Sequence, residues 1–167
     1  MEIKTKDKLL LIEMLKNGRQ NFSKLGKTLH ISRQAVFSRI KTLKNQGIIR
    51  NFTVNINQEK IGLDFKAYIL MTIEPRNQSR QKINIFLKRC KQVSQAYYLF
   101  GSHDILMEVL VRNRIELSQL IKQFQKFDYV KKTVTLIVYD TIKDCQNHPF
   151  ERVLEDDKMN YVAEKSA

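Results

Sequence analysis

The sequence predicts an α+β protein: an N-terminal helix-turn-helix domain of winged-helix-like type, followed by a C-terminal ferredoxin-like βαββαβ domain. Three observations carry this. Apolar residues in the first fifty positions recur at helical spacing, with caps and glycines between the runs. Residues 65–142 then alternate strand-like and helix-like stretches in the order βαββαβ. Charge divides the chain in the same way: residues 1–60 hold 13 basic and 4 acidic side chains, a net of +9, against +4 for residues 61–167. With 167 residues and 43 % apolar content there is material for two small cores.

The first helix is expected over Lys6–Lys16, where Leu9, Leu10, Ile12 and Leu15 form an apolar stripe and Gly18 lies just past the end. A short second helix runs from about Ser23 to Leu29, entered through Asn21 or Phe22. Leu25 and Leu29 face inward, and Gly26 has the small side chain that a close helix crossing needs. His30-Ile31 forms the turn, and Ser32 is a good N-cap for the third helix. That helix, Arg33 to about Gln46, gathers Val36, Ile40 and Leu43 within roughly 60° at ~100° per residue. Gly47 ends it. Opposite the apolar stripe fall Gln34, Ser38, Lys41 and Asn45; Arg33, Phe37 and Lys44 flank one edge, and Ala35, Arg39 and Thr42 the other. Ile48–Ile56 reads as a linking strand, and the polar run 57–60 with Gly62 as a hinge.

The second part begins with a strand, Phe65–Glu74, stopped by Pro75. A helix is expected over Arg80–Lys91, with Ile83, Phe86, Leu87 and Cys90 inward, and then a strand over Val93–Phe100. Gly101-Ser102-His103-Asp104 is a turn into the strand Ile105–Val111. The helix Ile115–Phe127 turns Leu117, Leu120, Ile121, Phe124 and Phe127 inward, and Lys131–Tyr139 is the last strand. Both helices should cover one face of a four-stranded antiparallel sheet. Ile69, Met71, Ile105, Met107, Val109 and Leu136 cannot then all be hidden, and an uncovered apolar face predicts a homodimer. The expected division is 1–52 for the helix-turn-helix domain, 53–64 for a linker strand and hinge, 65–142 for the ferredoxin-like domain and 143–167 for a tail. That tail is mixed and polar, with an acidic cluster at Glu155-Asp156-Asp157, and no structure is assigned to it.

Several kinds of chemistry are excluded. Cys90 and Cys145 stand alone, as reduced thiols rather than a disulfide. There is no CxxC and no HExxH, and His30, His103 and His148 lack metal-ligand spacing, so neither metal nor cofactor is expected. Ser102-His103-Asp104 holds the residue types of a hydrolase triad, but consecutive residues cannot converge on one substrate atom. No catalytic residue is assigned. His148-Pro149-Phe150 reads as a turn, and Tyr97-Tyr98 as part of the sheet and dimer surface. No stretch approaches the ~20 apolar residues of a membrane span, and the N-terminus has no signal-peptide core. A cytoplasmic protein without a membrane partner is expected.

From Met14 to Gln58 the chain carries nine lysines and arginines and no aspartate or glutamate. Such a surface suits a polyanion, and the two-helix layout suits the major groove of double-stranded DNA. Gln34 and Ser38 project from the N-terminal half of the third helix, where base edges are met; glutamine can pair with adenine, and serine accepts several partners. Arg33, Lys41 and Lys44 are placed for phosphates, which position without reading sequence. Ser32 and Phe37 complete the candidate interface. Arg39 either reads a guanine or ties the helix to its own domain. The plainer alternative for the whole stretch is a solvated basic helix pair.

These features together resemble the Lrp/AsnC (feast/famine) transcriptional regulators over roughly residues 4–142. The most specific segment is Leu25-Gly-Lys-Thr-Leu-His-Ile-Ser32, with Val36, Arg39-Ile40, Leu43 and Gly47-Ile48-Ile49 after it. Gly101-Ser-His-Asp104 before a β-rich strand resembles the family's glycine–aspartate turn. The sequence departs from the family at Gly26, where alanine is usual, at His103, where an aromatic such as tyrosine is common, and in the tail beyond about Pro149. The resemblance implies a DNA-binding regulator modulated by an amino acid or other small metabolite bound between subunits. It also implies a homodimer that can associate further, for instance into an octamer. Gly101, Ser102, His103 and Asp104 would form the effector site, with Asp104 accepting from a ligand ammonium, and Thr133 and Thr135 could hold its carboxylate. An ordinary β-turn explains the same glycine and aspartate, and surface threonines are common on strands. Two other readings of this architecture are a ligand-independent basic DNA binder and an enzyme resembling the sirohaem decarboxylases. The basic head argues against the enzyme.

Overall fold

The computed structural model describes residues 3–155. They form two compact units: residues 3–54 with 143–155 make one, and 55–142 the other. The acidic Asp156 and Asp157 of the expected tail lie outside the described residues.

The N-terminal unit is built on three helices, α1 (Thr5–Lys16), α2 (Phe22–Leu29) and α3 (Arg33–Asn45). Each boundary has a local cause. Asn21 caps α2 by accepting from the Ser23 N–H at 2.8 Å, and Ser32 caps α3 by accepting from the Ala35 N–H at 3.1 Å. His30 ends α2 in the left-handed conformation (φ 51°), a geometry that costs a non-glycine residue about 1–2 kcal/mol. Gly47 takes φ 72° just beyond α3, as a C′ residue should. Leu10, Leu25, Leu29, Val36, Ile40 and Leu43 make the core, with Ile48 and Ile49 packed on its edge.

Gly26 is where the turn closes. The Ile31 N–H donates to the Gly26 carbonyl at 2.9 Å, and a Cβ on Gly26 would lie 2.6 Å from the Ile31 oxygen. The first helix begins one residue earlier than its apolar stripe suggests, because the Lys4 carbonyl already accepts from Asp7 and Lys8.

Two expectations fail here. Ile48–Ile56 is not a strand: the Ile48 and Ile49 N–H groups both donate to the Leu43 carbonyl, wrapping the end of α3. Phe52, Val54 and Ile56 are exposed, and no ladder forms along this segment among the described residues. Strand propensity is realised only beside a neighbouring strand. Nor is His148-Pro149-Phe150 an isolated turn. It opens a helix at 148–155, where proline is tolerated because first-turn N–H groups need no intrahelical partner. This helix belongs to the N-terminal unit. The Asn147 side chain donates to the Leu15 carbonyl at 3.2 Å, and Leu154 is buried.

The C-terminal unit includes a short 3-10 turn (Glu59–Ile61) ahead of its sheet. Its elements are β1 (Phe65–Ile73), α4 (Asn77–Arg89), β2 (Val93–Tyr98), β3 (Ile105–Val111), α5 (Arg114–Gln125) and β4 (Val130–Ile137). The sheet is antiparallel in the order β2-β3-β1-β4. Ala67, Ile69, Met71, Ile105, Met107 and Val109 share one face, because Ile69 opposes Met107 and Ala67 opposes Val109. Ile83 of α4 and Leu117, Leu120 and Phe124 of α5 fill that face, and Phe86 meets Phe124 and Phe127 edge-on.

This corrects the expected uncovered set. Ile69, Met71, Ile105, Met107 and Val109 are all buried under the helices, and only Leu136 lies on the other side. The open face is the even-numbered register: Tyr68, Leu70, Leu106, Leu110, Val134 and Leu136, around Glu108. Glu108 accepts from Ser94 Oγ at 2.6 Å and Tyr68 Oη at 3.0 Å, and pairs with Lys66 Nζ at 3.0 Å. Burial pushes its carboxyl up. The bonds from Ser94, Lys66 and Tyr68, with the Lys66 charge, outweigh burial and hold it below the usual range. Burial, and then the bond to Glu108, pushes the Tyr68 hydroxyl up.

This packing has two testable outcomes. Gly26→Val must move the Ile31 carbonyl, and should cost the N-terminal unit about 1–3 kcal/mol, read from its urea midpoint; an unchanged midpoint would contradict the close approach. Glu108 titrates lower folded than unfolded, so its stabilisation is complete above the unfolded value near ~4.3 and is lost as pH falls through the folded one. The stability gap between wild type and Glu108→Gln should therefore hold steady above about pH 4.3 and close below it. Urea unfolding across that range checks it, and a gap that widens in acid would refute the assignment.

Candidate nucleic-acid interface and effector turn

The core stripe of α3 fixes its rotation. With Val36, Ile40 and Leu43 buried, Arg33, Gln34, Phe37, Ser38, Lys41 and Lys44 are all exposed on the outward side. Gln34 and Ser38 are neighbours there, one turn apart. The Phe37 ring, half exposed, leans on Phe22 of α2 with centroids 6.4 Å apart. Lys44 lies 5.7 Å from the Phe52 ring, so the end of the face is braced by the segment beyond α3. Ser32 is exposed, with its hydroxyl on the Ala35 N–H. A backbone-facing cap of this type is compatible with a nearby phosphate, since helix N-termini attract anions.

Of the two roles open to Arg39, the structure fills the second. Its Nη1 donates to Asp7 Oδ1 at 2.6 Å, tying α3 to the first turn of α1. Asp7 is a partner of this helix that sequence reasoning missed. It carries no local signal, because Arg39 lies 32 positions away; the one hint is that Asp7 is the only acid among Lys4, Lys6 and Lys8.

The second candidate site lies at the β2–β3 turn. Gly101 takes φ 150°, where a side chain would be strained. Ser102 Oγ and His103 Nδ1 are 3.0 Å apart and exposed or half-exposed. Phe100 beside them is fully exposed. Asp104 is built into the sheet: its N–H donates to the Met71 carbonyl at 2.9 Å, and its Oδ2 accepts from the Ile73 N–H at 2.8 Å. Thr133 opposes Met71 and Thr135 opposes Ile69 on the other flank of β1. Asp104 and Thr133 thus bracket one end of β1 from opposite sides, with Thr135 one pair further along. Both threonines are half-buried and on the helix side of the sheet.

Two family models match. Residues 3–50 match the winged helix-turn-helix DNA-binding model, and residues 66–147 match the Lrp/AsnC ligand binding domain. An uncharacterised HTH-type transcriptional regulator of Pyrococcus furiosus is 34 % identical over 140 residues, 83 % of this chain and 93 % of that protein. The HTH-type transcriptional regulator LrpA of Pyrococcus horikoshii is 31 % identical over 142 residues, 84 % of this chain and 99 % of that one. Among solved structures, a transcriptional regulator of Neisseria meningitidis in complex with L-Met superposes with a TM-score of 0.83 at 21 % identity, covering 92 % of this chain and 99 % of that one. E. coli AsnC superposes with a TM-score of 0.80 at 24 % identity, over 87 % and 98 %. These two establish likeness of fold.

Proposed function

The chain belongs to the Lrp/AsnC family of transcriptional regulators, and from that premise we propose which residues do its work. Gln34 and Ser38 read base edges in the major groove, while Arg33, Lys41 and Lys44, with the capped start of α3 at Ser32, hold phosphates. Phe37 packs at the rim of the contact. The observation that carries this reading is the exposed side of α3: two uncharged hydrogen-bonding side chains ringed by cations, within a stretch of chain that has no acid from Met14 to Gln58. The protein binds rather than catalyses, and acts in the cytoplasm where its DNA is.

Specificity needs two heads. The open sheet face around Leu70, Leu106, Val134 and Leu136 supports a homodimer, and the exposed Phe100 supports association beyond it. A two-fold axis would set the two α3 helices on half-sites about one helical turn apart. The effector is an amino acid held at Gly101–Asp104, with Thr133 and Thr135 toward its carboxylate. The L-Met bound by the Neisseria protein supports that class of ligand. The engagement of Asp104 with the Ile73 N–H favours a second reading, in which the turn is purely structural and DNA binding is ligand-independent.

Gln34→Ala and Ser38→Ala should relax sequence preference in selection from a random duplex library. Lys41→Ala should weaken all duplexes alike and reduce the salt slope by about 1. Equal loss on every sequence for all three variants would contradict the assignment. Asp104→Asn keeps an acceptor for the Ile73 N–H but removes the charge, so it should fold normally and lose the calorimetric heat that wild type shows with L-methionine or another of the twenty amino acids. No heat from wild type with any of them would select the ligand-independent reading.

A further inference from the structure

Between residues 3 and 58 the chain holds only two acids, Asp7 and Glu13. Glu13 pairs with Lys16 at 2.9 Å, within α1. Asp7 instead reaches across to the recognition helix and takes Arg39 at 2.6 Å. Arg39 directly follows Ser38, and both line one concavity between α1 and α3, together with Lys4, Thr42 and Gln46. The pair is part-buried, with Arg39 29 % and Asp7 16 % exposed, so the carboxylate holds the guanidinium in one place while one edge of it stays open to solvent. Arg39 is also the one cation of α3 that is turned from the outward side. Without a partner, a guanidinium with five donors on a long stem would find phosphates beside any base sequence.

We propose that Asp7 is a positioning residue for DNA binding: its carboxylate withholds Arg39 from the phosphate backbone and so limits sequence-independent affinity. The inference rests on α3 being the DNA-contacting helix. Asp7→Asn releases Arg39 and adds about one phosphate contact, without touching Gln34 or Ser38. The geometry also separates two effects of the carboxylate, since direct repulsion of phosphate would act even with Arg39 absent.

The test is the salt dependence of binding to a random-sequence duplex, with the full chain, for wild type, Asp7→Asn, Arg39→Gln and the double variant. Asp7→Asn should bind random duplex more tightly at low salt, with a slope steeper by about 1, so that raising salt from ~50 to ~200 mM costs it about 3.5-fold more affinity than it costs wild type. Arg39→Gln should leave the wild-type slope unchanged, and the double variant should show no gain. An unchanged or shallower slope for Asp7→Asn overturns the proposal, as does a gain that survives in the double variant. Should Asp7→Asn fail to fold, Arg39→Gln still decides: a slope shallower by about 1 would mean that Arg39 already holds a phosphate. Failure of wild type to bind duplex at all would instead overturn the DNA-binding reading beneath it.

Discussion

Everything the basic head presents outward depends on the close approach of the backbone at Gly26. The Ile31 carbonyl lies where a side chain on Gly26 would begin, so α2 and α3 meet at a turn of three residues, His30 to Ser32. His30 adopts a left-handed conformation to close it, and Ser32 caps α3. Once that turn is set, the buried stripe Val36, Ile40 and Leu43 leaves α3 one rotation. Gln34, Ser38 and Lys41 then face solvent as a consequence of packing. A wider turn would keep the same sequence of side chains on α3 but point them elsewhere.

The C-terminal unit obeys a different constraint. β1 pairs on both edges, and the sheet carries apolar side chains on both faces, which helices on one side cannot satisfy alone. One register is closed by α4 and α5. The other carries Leu70, Leu106 and Val134 around a carboxylate held by Ser94, Tyr68 and Lys66. A charge network of this kind is stable at a half-covered surface because every oxygen of Glu108 has a partner. It also makes the face particular, since another surface laid on it must accommodate those groups as well as the leucines.

Charge and selectivity are separate properties of the head. Its net positive charge draws any polyanion, and a longer list of lysines would raise affinity without adding discrimination. On the proposed reading, discrimination rests on two uncharged side chains and on what the cations are prevented from doing. Arg39 illustrates the second part. On a helical wheel it is one more basic residue at the edge of the reading face, and its partner lies on another helix, far away in the chain. Asp104 shows the same limit at the other site. Its place in a glycine–aspartate turn was legible, whereas its bond to the Ile73 N–H depends on which strand lies beside the turn.

What the sequence determined by itself is what repeats locally: helix phase, the cap at Ser32, the glycine after α3, and the βαββαβ order, each a matter of a few adjacent residues. It also determined the charge of the head. What only the tertiary structure decided is pairing. The alternating residues of β1, β3 and β4 announce two faces, but the face the helices take is set by strand register, and that placed Ile69, Met107 and Val109 inside and Leu136 outside. Ile48–Ile56 has strand composition and forms no strand, because a ladder requires a neighbour that composition cannot supply. Asp7 and Arg39 belong to the same class: a contact across 32 residues exists only once three helices have packed, so it cannot be read before they do.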